Sequence, residues 1–182
     1  MDYGTKLTKD EGEFLPDNSA YRKLIGKLLY LANTRPEISF AIGKLSQFLE
    51  KPTTSHLKAA YRILRYIKMA RATSLFFPSK SDLLVSRFSD SYWAACPDSR
   101  RSISAYCFYI GNSIVSWKSK KQTNVASSSA EAEYRALASA TREAIWLKNV
   151  LSDLGFELEK PISLYYDSQA AIHIAHNLDL LT

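Results

Sequence analysis

The sequence is poor in cysteine, histidine, glycine and proline, with 2, 3, 6 and 6 of each among 182 residues. Two cysteines, Cys96 and Cys107, do not make a disulfide scaffold, and we expect free thiols in a reducing compartment. No run of 18 apolar residues occurs, so no transmembrane helix is expected. The polar start, MDYGTKLTKDEGEF, does not resemble a secretory signal. We therefore expect an intracellular protein, either cytoplasmic or nuclear.

Basic residues are abundant, but they are unevenly distributed along the chain. Residues 1–80 contain 14 basic and 7 acidic side chains, whereas residues 81–182 contain 10 basic and 11 acidic ones, which gives the total net charge of +6. Such an asymmetry favours an anionic partner for the first half of the chain.

Three helices are predicted in the first part of the chain. Apolar residues recur at helical spacing over about 19–33, with Ser19 as a candidate cap, again after Pro36, and over about 54–70. Residues 1–18 are polar, and we expect them to form a loose lead-in. The sequence thus predicts an all-helical segment over residues 1–72.

From residue 73 the pattern changes to that of an α/β protein. Strands are predicted over 74–77, 83–91, 103–111, 113–119 and 162–167, and helices over 129–154 and 168–176. Gly111-Asn112 is a hairpin signal and Gly155 a candidate helix C-cap. Three antiparallel strands followed by a strand–helix step predict a mixed sheet with flanking helices, in a domain over 73–182.

Three carboxylates lie at the ends of predicted elements in this second part. Asp90 is at the carboxyl end of the first long strand, and Asp167 is the last residue of the strand ISLYYD. On the long helix, Glu133 lies in line with the apolar stripe, whereas Glu131 lies on a more polar face, so Glu133 is expected to face the sheet. The predicted buried stripe comprises Leu137, Ala140, Ala144, Leu147, Leu151 and Leu154.

The residue types of this group predict a metal site. Clustered carboxylates without histidine or cysteine suit hard divalent cations such as Mg²⁺ or Mn²⁺. Two such ions can activate a water and stabilise the leaving oxygen in phosphodiester cleavage. The same residues also have an ordinary structural interpretation, because aspartates are common in turns and glutamates are favoured near helix N-termini. Spacing alone leaves both interpretations open.

Four segments of the second part resemble the RNase H domain of copia-type LTR-retrotransposon polyproteins. They are SDSYWAACPDSRRSISAYCFYIG, SIVSWKSKKQTNVASSSAEAEYRALA, EAIWLKNVLSDLGF and LYYDSQAAIHIA. The upstream segment YRKLIGKLLYLANTRPEISFAIGKLSQFLEKPTTSHLKAAYRILRYIK resembles the C-terminal part of the reverse transcriptase of the same polyproteins, its thumb or connection region. The resemblance covers roughly residues 18–176.

The resemblance implies an RNase H-like α/β fold and two-metal cleavage, with Mg²⁺ or Mn²⁺, of RNA in RNA–DNA hybrids. It assigns the family's first aspartate to Asp90, its helix glutamate to Glu133 and its second aspartate to Asp167. These three residues are then both catalytic and metal-ligating. No DNA synthesis is expected, because the catalytic core of the polymerase is absent from this sequence.

The sequence also departs from the family pattern. Tyr92 and Ala95 replace an expected aspartate and glycine, and Ala105 replaces a glycine. The family continues to a fourth acidic metal ligand, a further strand and a further helix. We expect this domain to lack its last strand and helix, and to lack the fourth ligand unless Asp179 substitutes for it.

These departures leave two functions open. The first is a metal-dependent RNase H-type endonuclease derived from a retrotransposon, and the alternative is a catalytically weak or inactive RNase H-like module that binds nucleic acid or a protein. Loss of the last elements would expose a sheet edge, through which a dimer or a protein partner is expected to pair.

Several basic residues are candidates for phosphate contacts, which a nuclease acting on a hybrid needs for positioning. Each of them alone is also compatible with an ordinary solvated surface. The candidates are Lys58, Arg62, Arg65, Arg100, Arg101, Lys118, Lys120 and Lys121.

Overall fold

The structure is a computed structural model that describes residues 7–80, 84–158, 161–166, 168–169 and 172–173. It divides into two compact units, Met1–Leu75 and Phe76–Thr182. Both cysteines are free thiols, as the sequence predicted. Within the described ranges, none of the helices has the length and apolar character needed to span a membrane.

The first unit is built from helices, as expected. They are α1 (Ser19–Leu31), a 3₁₀ helix (Pro36–Ile38), α2 (Ser39–Leu45), a second 3₁₀ helix (Ser46–Phe48) and α3 (Thr54–Met69). Their apolar faces meet in one core, whose most deeply buried members include Ile25, Ile42, Leu45 and Ala60. The tyrosine of α1, Tyr21, donates its hydroxyl hydrogen to the Leu45 carbonyl at 2.9 Å, which ties α1 to α2.

The start of α1 differs from the prediction, because Ser19 is the first helical residue and not the cap. Asn18 occupies the N-cap position, but its side-chain amide donates to the Glu50 carbonyl at 3.0 Å instead. The backbone N–H of Ser19 is satisfied by the Asp17 carboxylate at 2.9 Å. The polar turn before α1 thus connects the helix to the segment that precedes α3.

The lead-in is not loose from residue 7 onward. Leu7 is buried in the core, and the backbone N–H of Thr54 donates to the Glu13 carbonyl at 2.8 Å. His56, an apparent surface residue in the sequence, is fully buried, and its Nε2 lies 3.1 Å from the Thr8 carbonyl oxygen. Its Nδ1 accepts from the Thr53 backbone N–H at 3.0 Å, which caps α3. The buried histidine therefore joins the lead-in to the start of α3.

The second unit contains a four-stranded mixed sheet in the order β3-β2-β1-β4. The strands are β1 (Val85–Tyr92), β2 (Ile103–Ile110), β3 (Ser113–Lys121) and β4 (Ser163–Tyr165). The first three are antiparallel, and β4 is parallel to β1, with Tyr165 paired to Phe88. The hairpin turns at Gly111 and Asn112, as predicted, and Gly111 has a positive φ of 55°. The described sheet has β3 and β4 as its edges, and pairing of a partner at either edge stays a prediction.

One long helix, α4 (Ser129–Asp153), packs against one face of the sheet. Val85, Tyr106 and Phe108 meet alanines and leucines of α4 in the core. The predicted buried stripe was wrong at its ends, since Leu137 is only partly buried and Leu154 is exposed. Alanines replace leucines over much of the buried face. The buried residues of α4 are Ala132, Ala136, Ala140, Ala144, Leu147 and Leu151.

The helix α4 ends where the sequence predicted. Gly155 has a φ of +81°, a conformation that favours glycine. Its N–H donates to the Ser152 carbonyl, and the N–H of Phe156 donates to the Leu151 carbonyl, each at 2.9 Å. This pattern satisfies carbonyl groups that the helix itself leaves without donors.

The strand predicted over 74–77 is absent. Residues 73–78 have no regular structure, and Phe76 and Phe77 are 75% and 61% exposed. Aromatic composition favours strands only where a neighbouring strand and a packed face are present, and no described strand pairs with this segment. Of the predicted helix 168–176, Gln169, Ile172 and His173 are helical and Ser168 is not, and the remaining residues lie outside the described ones.

Candidate functional site

Asp90 lies two residues before the end of β1, paired with Ala105 of β2. Its side chain is exposed, and its Oδ1 accepts the backbone N–H of Ser91 at 2.7 Å. Since Val85 faces α4 and side chains alternate along a strand, Asp90 and Phe88 project from the opposite face. An exposed carboxylate at this position is accessible to a cation or a substrate.

Glu133 lies near the start of α4 and is half-buried. Its Oε2 accepts the hydroxyl hydrogen of Tyr166 at 2.8 Å. Tyr166 directly follows β4, whose last residue pairs with Phe88 of β1, and Asp90 comes two residues after Phe88. The carboxylate of Glu133 is therefore held at the same end of the β1–β4 pair that carries Asp90, but on the α4 side of the sheet, so the two carboxylates can meet only beyond the ends of the strands.

Glu131 has a different environment, although it lies only two residues away. Its Oε2 accepts the backbone N–H of Ser127 at 2.7 Å, and its Oε1 pairs with Arg135 at 2.7 Å. The Ser127 hydrogen bond and, next, the Arg135 guanidinium lower the pKa of Glu131 from its ordinary value. Ser128 caps the helix by accepting the Glu131 N–H at 3.1 Å. Glu131 thus serves the helix start.

The third predicted carboxylate, Asp167, lies outside the described residues. Within the described part of the chain, no group of three His, Cys, Asp or Glu side chains is placed to hold a metal ion. Asp90 and Glu133 offer oxygen donors only, which fits a hard cation such as Mg²⁺ or Mn²⁺ and not zinc. Of the predicted ligand set, these two residues are the described ones that could take part in a metal site.

The end of β3 lies next to the start of α4. Gln122, which follows β3, donates through Nε2 to the Ala132 carbonyl at 2.9 Å. Lys118 and Lys120 on β3 are exposed, and Lys121 is half-buried with its Nζ 3.7 Å from the Cys96 sulfur. Lys121 therefore lies near the helix turn that carries Glu133, with Lys120 and Lys118 one and three residues before it along β3.

The loop between β1 and β2 adds the exposed Arg100 and Arg101 to the same end of the sheet. The backbone N–H of Cys96 donates to the Arg101 carbonyl at 3.1 Å, and the N–H of Arg100 returns to the Cys96 carbonyl at 2.8 Å. Because Lys121 reaches the Cys96 side chain, the loop and the end of β3 form one basic region. Burial opposes ionisation of Cys96, but hydrogen bonds from Ser99 outweigh it and lower the pKa of the thiol.

The three predicted phosphate-binding residues of the first unit lie on one exposed side of α3. Lys58, Arg62 and Arg65 are all exposed, while Ala60 and Ile63 of the same helix are buried in the core. The predicted cationic helix face is thus present.

Tyr166 was not identified by the sequence analysis, although it positions Glu133. Its contact depends on how far β4 runs along β1 and on where α4 begins, and neither can be read from residue spacing. The only available signal was its place immediately before Asp167.

Comparison with known proteins gives relatives among transposon polyproteins. The chain is 39% identical over 172 residues to the retrovirus-related Pol polyprotein from transposon RE2 of Arabidopsis thaliana, a match that covers 94% of this chain and 12% of that protein. It is 39% identical over 158 residues to the Pol polyprotein from transposon TNT 1-94 of Nicotiana tabacum, covering 86% of this chain and 12% of that protein. The chain thus spans about an eighth of the length of these polyproteins.

A shorter relative is matched over most of its own length. The secreted RxLR effector protein 161 of Plasmopara viticola is 43% identical over 131 residues, which cover 71% of this chain and 92% of that protein. No family model matches the chain. No solved structure matches it.

Proposed function

We propose that the second unit of this chain, which belongs to the family of retrotransposon Pol polyproteins and their shorter relatives, is a metal-dependent endonuclease of the RNase H type. It would cleave the RNA strand of RNA–DNA hybrids. The observation that carries the proposal is the placement of Glu133, whose carboxylate is held by Tyr166 at the end of the β1–β4 pair. That strand end also carries Asp90, and Asp167 follows Tyr166 in the sequence.

Asp90, Glu133 and Asp167 would hold the divalent cations, Mg²⁺ or Mn²⁺. When bound, such ions supply an activated water and charge stabilisation for the leaving oxygen of a phosphodiester. The Tyr166 hydroxyl fixes one Glu133 oxygen, because a phenol that donates to a carboxylate restricts its rotation. Exposure of Asp90 leaves its carboxylate open to the substrate phosphate.

Basic side chains around this end of the sheet would position the hybrid. The last part of β3, which ends next to the start of α4, carries Lys118, Lys120 and Lys121, and the loop that Lys121 contacts carries Arg100 and Arg101. Contacts of this kind to phosphates fix register without reading sequence. The exposed side of α3 in the first unit, with Lys58, Arg62 and Arg65, is a separate candidate surface for phosphate contacts. Binding should weaken steeply as salt is added, since bound counterions are released from the nucleic acid.

The test is cleavage of an RNA–DNA hybrid labelled on its RNA strand, with Mg²⁺ or Mn²⁺ added. We expect the unaltered chain to cleave the hybrid and Asp90→Asn to lose cleavage. Asp153→Asn is the matched control, because Asp153 is an exposed aspartate at the far end of α4. Absence of cleavage by the unaltered chain, or equal cleavage by Asp90→Asn, would contradict the proposal.

A further inference from the structure

A cleft of about 480 Å³ opens between the second half of α4 and the segment that leads into β4. Most of its walls are aliphatic. The lining residues are Arg87, Thr141, Ala144, Ile145, Lys148, Leu158, Pro161 and Ile162. Thr141 comes eight residues after Glu133, which is about 12 Å along a helix at 1.5 Å per residue. The cleft is therefore separate from the candidate nuclease site.

Arg87 brings a positive charge to the α4 face of the sheet. It lies on β1 between the buried residues Val85 and Ser89, and its Nε is buried without a hydrogen-bond partner. Burial lowers the pKa of the Arg87 guanidinium, but an arginine starts from so high a value that it stays charged at neutral pH. A charged side chain that is partly removed from water and forms no ion pair lowers the stability of the folded protein.

Among the described residues that line it, the cleft has a second cation and no anion. Lys148 of α4 is exposed at its rim. Among the described residues, ion pairs join Arg35 to Glu37 and Arg135 to Glu131, and neither Arg87 nor Lys148 is paired. The cleft thus combines two cations with aliphatic walls formed by Ile145 and Leu158, among others.

We propose that this cleft binds an acidic peptide segment in which one carboxylate side chain is flanked by aliphatic residues. The carboxylate would accept from the terminal nitrogens of the Arg87 guanidinium and balance a positive charge that forms no ion pair among the described residues. The flanking aliphatic side chains would cover Ile145, Leu158 and Ile162, which gives the apolar part of the binding energy. The two cations favour an anionic ligand, and the aliphatic walls favour such a peptide over a nucleic acid, whose bases and sugars carry no aliphatic side chains. The proposal is independent of nuclease activity.

The test uses a fluorescein-labelled peptide with the core Ile-Glu-Leu-Leu, its Gln counterpart, and anisotropy measured without metal or nucleic acid. We expect the Glu peptide to bind, and the Gln peptide to bind at least about tenfold more weakly, because a charge-assisted hydrogen bond is lost. Arg87→Met should weaken binding of the Glu peptide by a similar factor. It should leave the Gln peptide unaffected, since both changes remove the same contact.

The matched control is Arg142→Met, because Arg142 is an exposed basic residue of α4 that does not line the cleft. Binding of the Glu peptide should be unchanged in that variant. No binding of the Glu peptide, equal binding of the two peptides, or equal losses in Arg87→Met and Arg142→Met would each overturn the proposal. If Arg87→Met does not fold, Lys148→Met takes its place, and the comparison of the two peptides on the unaltered chain still decides.

Discussion

The two units of the molecule differ in what their polar side chains do. In the first unit, Thr53 and His56 are fully buried and hydrogen-bonded to the backbone of the lead-in and of α3. In the second unit, Asp90 is exposed, Glu133 is half-buried, and the buried Nε of Arg87 has no partner. Thr53 and His56 thus complete the fold of the first unit, whereas Asp90 is open to a ligand from outside the second unit.

Packing shows a parallel difference. Among the described residues, the largest fully buried side chains include Tyr21, Ile25, Ile42 and Leu45 in the first unit, but in the second unit Phe108 stands out. The face of α4 that meets the sheet is largely alanine, and each alanine buries little apolar area. Substitutions at exposed polar residues of the second unit should therefore separate function from folding more readily than substitutions in the core of the first unit.

The largest expected effect is loss of cleavage in Glu133→Gln with little loss of stability. Hydrolysis of the hybrid should fall by more than about a hundredfold, since even the outer partners of metal ligands are worth about 10- to 100-fold. Initial cleavage rates and urea unfolding of the same variant provide the measurement.

Glu131→Gln is the matched control for that variant, because it makes the same chemical change two residues away, where the carboxylate serves the helix start. It should keep most of the cleavage rate while losing some helix stability. The reverse outcome, with Glu131→Gln inactive and Glu133→Gln active, would show that the two glutamates had been assigned the wrong roles.

Much of the fold could be predicted from the sequence, because its helices, strands and turns depend on periodicity and turn chemistry. The hairpin at Gly111, the end of α4 at Gly155, and the mixed sheet all follow local signals. Other features depend on contacts between distant segments. The burial of His56 requires the lead-in to fold back over α3, and the Tyr166 contact requires β4 to stop opposite Phe88. Neither contact can be predicted from the spacing of residues along the chain.

A second test removes the buried polar network of the first unit. His56→Ala should destabilise that unit by about 2–4 kcal/mol, because it opens a cavity beside Phe48 and leaves the Thr53 N–H without its acceptor. Hydrogen exchange should then accelerate at residues 8–15 and at the start of α3, with β2 unchanged. His173→Ala is the control, since His173 is exposed. Equal hydrogen exchange in the two variants would show that the buried hydrogen bonds of His56 do not stabilise the first unit.

The smallest effect concerns alkaline pH, at which tyrosines ionise; among the described residues each unit has one buried tyrosine, Tyr21 and Tyr106. Burial raises the pKa of Tyr21 above its ordinary value of 10.0, and burial together with Glu143 does the same for Tyr106. The unfolded chain therefore releases these protons first. Their stabilising contribution is full below about pH 10 and is lost as the pH rises further.

Tyr21→Phe should remove this alkaline loss from the first unit alone. At pH 8 the variant should be less stable by about 1 kcal/mol, because the hydrogen bond to the Leu45 carbonyl is gone. Between pH 10 and 11 its unfolding midpoint in urea should fall less than that of the unaltered chain. Tyr30→Phe, at an 81% exposed position of the same helix, should change neither quantity. If Tyr21→Phe lost as much stability at alkaline pH as the unaltered chain, the Tyr21 hydroxyl would not be buried in the folded first unit. The difference drawn between the buried polar groups of the first unit and the exposed ones of the second would then be weaker.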